Sequence, residues 1–181
     1  MGLDEATNLS AQPLAPAARE DALERLIRDY HAPVTRLAYR LLGWRGEVED
    51  LVHDVFLAAF KQQHRFRGES SAWTWLAAIT INRCRSMRRR KVLYFRWLKR
   101  SSLNREAASG TERIERDETG QRVRDAVAKL SPRDRELIVL HYHEELSIPE
   151  ISKIIGASDK VIHVRLHRAR QRLKDLLGNE R

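Results

Sequence analysis

Residues 147–177, near the C-terminal end of the chain, read SIPEISKIIGASDKVIHVRLHRARQRLKDLL. Ser147 and Glu150 have the spacing of a helix capping box, and Pro149 falls in the first turn, where a missing N–H costs little. Gly156 can take the left-handed conformation that ends a helix. A short helix, a tight turn and a longer basic helix are the layout of a helix-turn-helix, whose second helix enters the DNA major groove.

The apolar positions of both helices recur at helical spacing and are expected to face inward. They are Ile148, Ile151, Ile154 and Ile155, followed by Ile162, Leu166, Ala169, Leu173 and Leu176. Ser158 is expected to cap the second helix, with Asp159 near its positive end. The other side of the second helix is basic, which predicts contacts with base edges and phosphates. The residues assigned to this DNA surface are Lys160, His163, Val164, Arg165, His167, Arg168 and Arg172.

Two other interpretations of the basic helix were weighed. A basic amphipathic helix is often only a solvated face, but a capped helix pair with a Gly turn argues against that here. His163 and His167 lie four residues apart and could share a metal ion. Zinc sites need three or four ligands, and no Cys or carboxylate stands at a matching spacing nearby, so neither a metal nor a cofactor is predicted.

The charge of the chain is concentrated in one segment. The 181 residues carry a formal net charge of +9, and residues 83–100 contain nine Lys or Arg and no acid. Such a segment is an electrostatic footprint for a phosphate backbone. The aromatic residues Tyr94, Phe95 and Trp97 lie within it, which argues against a merely solubilising tail. The single cysteine, Cys84, excludes an internal disulfide and is expected to pack between helices.

The pattern along the chain predicts an all-α protein with two small helical domains joined by a flexible linker. Residues 1–20 lack periodicity and are expected to be mobile, and no apolar run has the length of a membrane span or signal peptide. The first domain is predicted over 21–92, the linker over 93–120 and the second domain over 121–178. No β pattern and no internal repeat are present.

Within the first domain, three helices are predicted. The first covers residues 21–42, with Pro33 expected to kink or interrupt it. The second runs from about Glu47 to Gln63, and the third begins near Ser71. In the second domain, Ser131 should cap a helix that starts at Pro132. The apolar face of that helix is assigned to Ile138, Val139 and Tyr142.

The second helix presents two stripes at helical spacing. The wide apolar stripe is Val48, Leu51, Val52, Val55, Phe56, Ala59 and Phe60. The other stripe is Asp50, His53, Asp54 and Leu57, and composition alone would make it a solvated face. Trp73 and Trp75 in the third helix cannot point the same way, so one is expected in the core and one near the loop. Aromatics beside a loop suit stacking on unpaired bases, although two core tryptophans fit the pattern equally well.

Three motifs now stand in order along the chain. They are EDLVHDVF at 49–56, FRGES at 66–70 leading to TWL at 74–76 and ITIN at 79–82, and LSIPEI at 146–151 followed by RLHRAR at 165–170. Together they resemble the extracytoplasmic-function group of the bacterial sigma-70 family, over about residues 21–92 and 121–178. The resemblance implies a non-enzymatic, cytoplasmic subunit that binds core RNA polymerase and directs promoter-specific transcription initiation.

The resemblance also implies which residues contact which partner. The stripe Asp50, His53, Asp54 and Leu57 would dock on the β′ clamp helices of core polymerase. The −10 DNA would be melted and held as a single strand by Phe66, Ser70, Trp73, Trp75, Asn82, Arg83, Arg85, Arg88 and Arg89. The helix-turn-helix would read −35 duplex DNA, and the linker would thread toward the RNA exit path. Further implied partners are the polymerase β flap and an anti-sigma factor, often anchored at the inner face of the membrane, with no small-molecule substrate.

The chain departs from the family pattern at three places. His53 stands where the family usually has Gln, and Ser86 where it usually has Asp. The recognition helix usually opens Gly-Thr-Val-Lys-Ser, whereas this chain has KVIHV at 160–164, so that Val161 and Val164 replace hydroxyl residues. The −35 sequence is therefore expected to be unusual, with a thymine methyl as one contact that valine can offer.

Two rival functions were considered. A conventional dimeric regulator would use the helix-turn-helix alone on palindromic sites, which leaves the Asp50 stripe and residues 73–82 without a purpose. An enzyme acting on nucleic acid is disfavoured, because no catalytic constellation and no Gly-rich phosphate loop is present in the sequence.

Overall fold

The computed structural model describes residues 16–43, 46–66, 68–100 and 118–178, and these residues form helices and connecting turns with no strand. The α-helices are α1 (Pro16–Leu42), α2 (Val48–Gln62), α3 (Ala72–Arg100), α4 (Glu118–Lys129), α5 (Pro132–Ile138), α6 (Ile148–Ile155) and α7 (Asp159–Gly178). A 3-10 turn, Gln63–Arg65, follows α2, and a π-helical segment, Val139–His143, follows α5. The predicted all-α fold is confirmed.

The chain divides into two compact units, Met1–Thr111 and Glu112–Arg181. The division falls within the predicted linker, of which residues 101–117 lie outside the described residues. The second unit begins its described structure at Glu118, slightly before the predicted start of the second domain. In the part of the chain that the structure describes, no helix is both long and apolar enough to cross a membrane.

The first unit is a three-helix arrangement in which α1, α2 and α3 each pack against the other two. Leu37 and Leu41 of α1, Leu51 of α2, and Leu76 and Ile81 of α3 are at most 1% exposed. Burying one such side chain contributes roughly 1.5–3 kcal/mol to folding. The predicted apolar stripe of α2 is buried except for Phe60, which is half-buried.

Helix α1 is longer and less interrupted than its sequence suggested. It starts at Pro16, before the predicted helix start at residue 21, while residues 1–15 lie outside the described residues. The helix also continues through Pro33, so the predicted interruption is wrong. An interior proline costs about 3 kcal/mol. Burial of Val34 and Leu37 immediately beyond it offsets that cost.

Helix α3 runs to Arg100 and so continues past residue 93, where the linker is predicted to begin. No Gly or Pro occurs between Ala72 and Arg100, and Arg, Lys, Leu and Met all have high helix propensity. Nothing in this run of basic residues breaks a helix, so α3 continues through it.

The second unit is built around α7, which packs against α4, α5 and α6. Its local signals are confirmed. Ser131 accepts a hydrogen bond from the Asp134 N–H at 3.2 Å, and Ser147 and Glu150 form the complete capping box. Gly156 has φ 73° and ψ 42°, the left-handed conformation that ends α6. These signals depend on residues within a few positions of each other, and so they can be read from the sequence alone.

The π-helical segment corrects one predicted core residue. Tyr142 was assigned to an apolar inner face, but its side chain is 52% exposed. A π-helical turn contains one extra residue and rotates the side chains after it relative to a regular helix. Leu140 and Leu146 are buried instead, joined by a hydrogen bond from the Leu146 N–H to the Leu140 carbonyl at 3.1 Å.

Candidate functional site

Helix α7 has one buried side and one outward side. Ile162, Leu166 and Ala169 are at most 1% exposed and face the rest of the second unit. Seven residues predicted to contact duplex DNA are all exposed: Lys160, His163, Val164, Arg165, His167, Arg168 and Arg172. The turn at Gly156 ends α6 just before α7 begins, so the first turns of α7 start at a sharp corner of the unit. The inward residues Leu173 and Leu176 are half-buried, as are Ile148 and Ile155 of α6.

Arg172 differs from the other six residues of this surface. Its Nη1 donates to Asp134 Oδ2 at 2.5 Å, which joins α7 to α5. The Asp134 side chain is only 10% exposed, and the same Oδ2 accepts a hydrogen bond from the Ser131 hydroxyl at 2.7 Å. The Arg172 guanidinium is therefore held against α5, whereas the other six side chains point away from the unit.

The histidine pair on α7 does not gain a third ligand. His163 and His167 are both exposed, and the described residues contain no group of three or more His, Cys, Asp or Glu that could hold a metal ion. Two imidazoles on a basic helix can instead donate to or accept from base edges and phosphates.

The start of α3 forms an aromatic site beside the preceding loop. The ring centroids of Phe66 and Trp75 lie 5.1 Å apart with a 41° tilt. Phe66 is positioned by a hydrogen bond from its N–H to the Gln63 carbonyl at 3.1 Å. The hydroxyl of Ser71 accepts a hydrogen bond from the Thr74 N–H at 3.0 Å and so caps α3. Both rings are half-buried, which leaves part of their surface open to a ligand.

The outer face of α3 extends from this aromatic site. Trp75, Asn82 and Arg89 are seven residues apart and so return to nearly the same side of the helix. Asn82 and Arg89 are exposed, and Arg89 donates to the Ser86 hydroxyl at 3.3 Å. This side presents an aromatic ring, an amide and a guanidinium in a row, which can stack on a base, bond to its edge and pair with a phosphate. The predicted −10 residues Ser70, Arg83 and Arg85 are half-buried.

Two predicted −10 residues are turned away from this face. Trp73 stacks on Tyr30 of α1, with centroids 6.2 Å apart and an interplanar angle of 8°. Arg88 lies 3.5 Å from the carbonyl of Leu41 at the C-terminal end of α1. The two tryptophans therefore point in different directions, as predicted, with Trp75 beside the loop. Trp73 is half-buried against α1 and is not a fully buried core residue.

Helix α2 carries an acidic and apolar surface, in contrast to the basic surfaces of α3 and α7. Asp50, His53, Asp54 and Leu57 are all exposed, on the side opposite to the buried stripe. Leu57 is 42% exposed, and neither Asp50 nor Asp54 forms an ion pair with another described residue. Two carboxylates repel a phosphate backbone, while carboxylates around an exposed leucine suit a protein partner.

Some contacts that shape these surfaces had no signal in the sequence. The Arg172–Asp134 pair spans 38 positions, and the Lys91–Glu47 ion pair joins α3 to the start of α2 at 3.9 Å. The Arg170 guanidinium lies 5.7 Å from the ring centroid of Tyr142, in the range of a cation–π contact. Each depends on which helices meet, and spacing within one helix does not reveal that.

Two protein-family models match this chain, one in each of its two units. The family model described as sigma-70 region 2 matches residues 26–93, and that described as sigma-70, region 4, matches residues 120–173. The RNA polymerase sigma factor YlaC of Bacillus subtilis is 30% identical over 164 residues, which span 89% of this chain and 95% of YlaC. The RNA polymerase sigma factor CnrH of Cupriavidus metallidurans is 32% identical over 181 residues, spanning 93% of this chain and 92% of CnrH.

Solved structures are also similar. The sigma factor RpoE, in complex with the anti-sigma factor NepR from Bartonella quintana, superposes with a TM-score of 0.67 at 25% identity, covering 92% of this chain and all of RpoE. CnrH in complex with the cytosolic domain of CnrY superposes with a TM-score of 0.66 at 25% identity, covering 91% of this chain and 96% of CnrH.

Proposed function

This chain belongs to the extracytoplasmic-function group of the sigma-70 family of RNA polymerase sigma factors, and we propose which partner each of its surfaces binds. The α2 face binds core RNA polymerase, the outer face of α3 holds unpaired −10 DNA, and α7 reads −35 DNA as a duplex. The observation that carries this division is the contrast in chemistry between the acidic and apolar face of α2 and the basic faces of α3 and α7.

The −35 contact is supported by the exposure and charge of α7. Its outward residues combine groups for base edges with lysine and arginine for phosphates, and its first turns follow directly on a helix-turn-helix corner. Each neutralised phosphate releases condensed counterions, so this binding is expected to weaken steeply as salt rises.

The −10 contact is supported by the aromatic site at the start of α3. Extruding a base from a duplex costs a few kcal/mol of lost stacking and pairing. Stacking of a base on an aromatic side chain returns about 1–3 kcal/mol, and the arginines that follow along α3 hold the strand backbone. Promoter opening is thus driven by binding of the unpaired strand, with no hydrolytic step on this chain.

The polymerase contact is supported by α2. Asp50, Asp54 and Leu57 form an exposed acidic and apolar face on α2, whose charge is opposite to that of the exposed residues of α3 and α7. We assign this face to the clamp helices of the β′ subunit, with the second unit and its linker reaching the β flap and the RNA exit path. We place the first domain at 21–92, the linker at 93–120 and the second domain at 121–178, with α3 extending into the linker range as far as Arg100.

The similar solved structures support regulation of this chain by an anti-sigma factor. RpoE and CnrH have been solved with NepR and with the cytosolic domain of CnrY. We propose that an anti-sigma factor likewise covers the polymerase-facing surface of this chain, which acts in the cytoplasm or at the inner face of the membrane while so held.

The test is in vitro transcription with core RNA polymerase, the purified chain and a library of genomic promoter fragments. We expect start sites that require the chain and share a −35 and a −10 element at fixed separation. If the chain adds no start sites in the absence of any anti-sigma factor, the proposal is wrong. If the chain binds palindromic DNA as a dimer without polymerase, the rival dimeric regulator is favoured.

A further inference from the structure

Two exposed valines stand out on α7. Val161 is 39% exposed and Val164 is 47% exposed, although the helix around them is strongly basic. Val also forms helices less readily than Ala, Lys or Arg, so an exposed valine adds neither packing nor helix stability at these positions. The two valines therefore go against the helix propensity of their positions without a gain in packing. Such a residue indicates a position that contacts a ligand.

The position of these valines indicates where such a ligand would lie. Val161 and Val164 are three residues apart, so their side chains are neighbours on the helix surface. Arg168 is one turn beyond Val164 and continues the same exposed strip, whereas Ile162 is buried. The strip lies in the first turns of the helix, the part of a recognition helix that reaches base edges.

The charge around the strip selects the kind of ligand. Lys160 and Arg165 are exposed beside the strip and Arg168 lies at its end, and no exposed acid follows Asp159 until Asp175. Such a surface repels cationic partners and attracts the phosphate backbone of a duplex. The apolar group that a duplex offers in its major groove is the C5-methyl of thymine.

We propose that Val161 and Val164 each contact the methyl group of a thymine in the −35 element, and that these contacts set the promoter preference of this sigma factor. The inference rests on the proposed function, since it deepens the −35 contact of α7. Valine has no donor or acceptor in its side chain, so it distinguishes thymine by apolar contact alone. Two valines three positions apart on a helix predict two such thymines within one short stretch of the groove.

The test removes only the methyl group. The −35 element is first identified from the promoters that the full chain selects with core polymerase. Each thymine in it is then replaced singly by deoxyuridine, and the affinity of the complete holoenzyme for the duplex is measured. Burial of one methyl group is worth about 0.8 kcal/mol, so we expect a loss of about fourfold at each of two positions.

Valine-to-alanine variants show which valine contacts which thymine methyl group. Val161→Ala should become insensitive to deoxyuridine at one position and Val164→Ala at the other, because the contact is already absent. Alanine is the better helix former, so these variants should keep their stability. Val123→Ala is the matched control, since Val123 is an exposed valine of the second unit outside α7.

The outcomes separate the two proposals. If the holoenzyme needs a −35 element but no deoxyuridine substitution changes its affinity, or if that element lacks thymine, the valine proposal is wrong while the proposed function stands. If the variants remain as sensitive to deoxyuridine as the parent chain, the valine assignment is also wrong. If no chain-dependent promoter is found at all, the proposed function fails and the valine proposal fails with it.

Discussion

Arg172 donates to Asp134 at 2.5 Å and joins the middle of α7 to the first turn of α5. The carboxylate is nearly buried, whereas the guanidinium side chain is 60% exposed. The pair therefore ties α7 to α5, while the remaining outward residues of the helix stay exposed. Removing the arginine would leave a largely buried carboxylate with only the Ser131 hydroxyl to bond.

We expect Arg172→Ala to lower the free energy of unfolding of the second unit by about 1–2 kcal/mol, because the partly exposed pair loses a charge-assisted hydrogen bond and strands Asp134. The readouts can be separated, since all four tryptophans belong to the first unit. Far-UV circular dichroism should show an earlier transition, while the tryptophan fluorescence transition stays in place. Arg168→Ala is the control: it removes another exposed arginine of α7 and should shift neither the circular dichroism transition nor the fluorescence transition. An unchanged circular dichroism transition in Arg172→Ala would mean the pair does not hold α7.

Gly156 provides a second stability test. A residue with a side chain in the left-handed conformation costs roughly 1–2 kcal/mol, and the space around a Cβ at this position is open, so backbone strain is the only expected penalty. Gly156→Ala should destabilise the second unit by about 1 kcal/mol. Gly156→Asn should cost less, because asparagine tolerates this conformation. Urea unfolding followed by far-UV circular dichroism measures both, and equal losses would show that strain is not the cause.

The α2 face predicts a charge-dependent loss of polymerase binding. Asp50→Ala and Asp54→Ala together should reduce affinity for core polymerase at least tenfold, since interface hot spots are worth about 2 kcal/mol or more. Asp29→Ala is the matched control, because Asp29 is an exposed acidic residue of α1 and lies outside the α2 face. Fluorescence anisotropy of the labelled chain titrated with core polymerase gives the affinities. Equal effects of the Asp29 and Asp50 single variants on this affinity would contradict the assignment.

The two tryptophans of α3 should separate DNA binding from stability. Trp75→Ala is expected to weaken holoenzyme binding to a single-stranded −10 oligonucleotide by about 1–3 kcal/mol, the value of one base stacked on an aromatic ring. Trp73→Ala removes the stack on Tyr30 and should instead destabilise the first unit, by about 2 kcal/mol. Strand affinity and thermal melting are measured on both variants. If Trp73→Ala and Trp75→Ala weakened strand binding equally, the assignment of Trp75 to DNA and of Trp73 to the packing against α1 would be wrong.

Asn82 gives a sharper test of the same face. Asn82→Ala removes an exposed amide that lies two turns beyond Trp75 and makes no contact with the core. We expect reduced discrimination between −10 sequences with little change in thermal stability, because an amide can read a base edge and surface substitutions rarely move stability by more than about 0.5 kcal/mol. Transcription from −10 variants by the two holoenzymes measures the discrimination. An unchanged sequence preference would exclude Asn82 as a base-reading residue.

The sequence by itself determined the all-α class, the capping box at Ser147 and Glu150, the Gly156 turn and the outward stripes of α2 and α7. Each of these depends on residues within one or two turns of each other, where helical spacing dictates which side chains are neighbours. Sequence patterns failed where tertiary packing or an unbroken helix outweighed a local signal. Pro33 stayed helical because the buried residues around it offset its lost hydrogen bond, and α3 continues past residue 93 because no Gly or Pro interrupts it.

Only the tertiary structure decided which members of a predicted set act together. Trp73 and Arg88 belong to the same basic and aromatic segment as Trp75 and Arg89, yet they face α1 because that helix packs against their side of α3. Arg172 is exposed by its spacing, yet the approach of α5 draws it to Asp134. The physical reason is that spacing along a helix fixes direction only relative to that helix, while the partner a side chain meets depends on which other helices pack beside it.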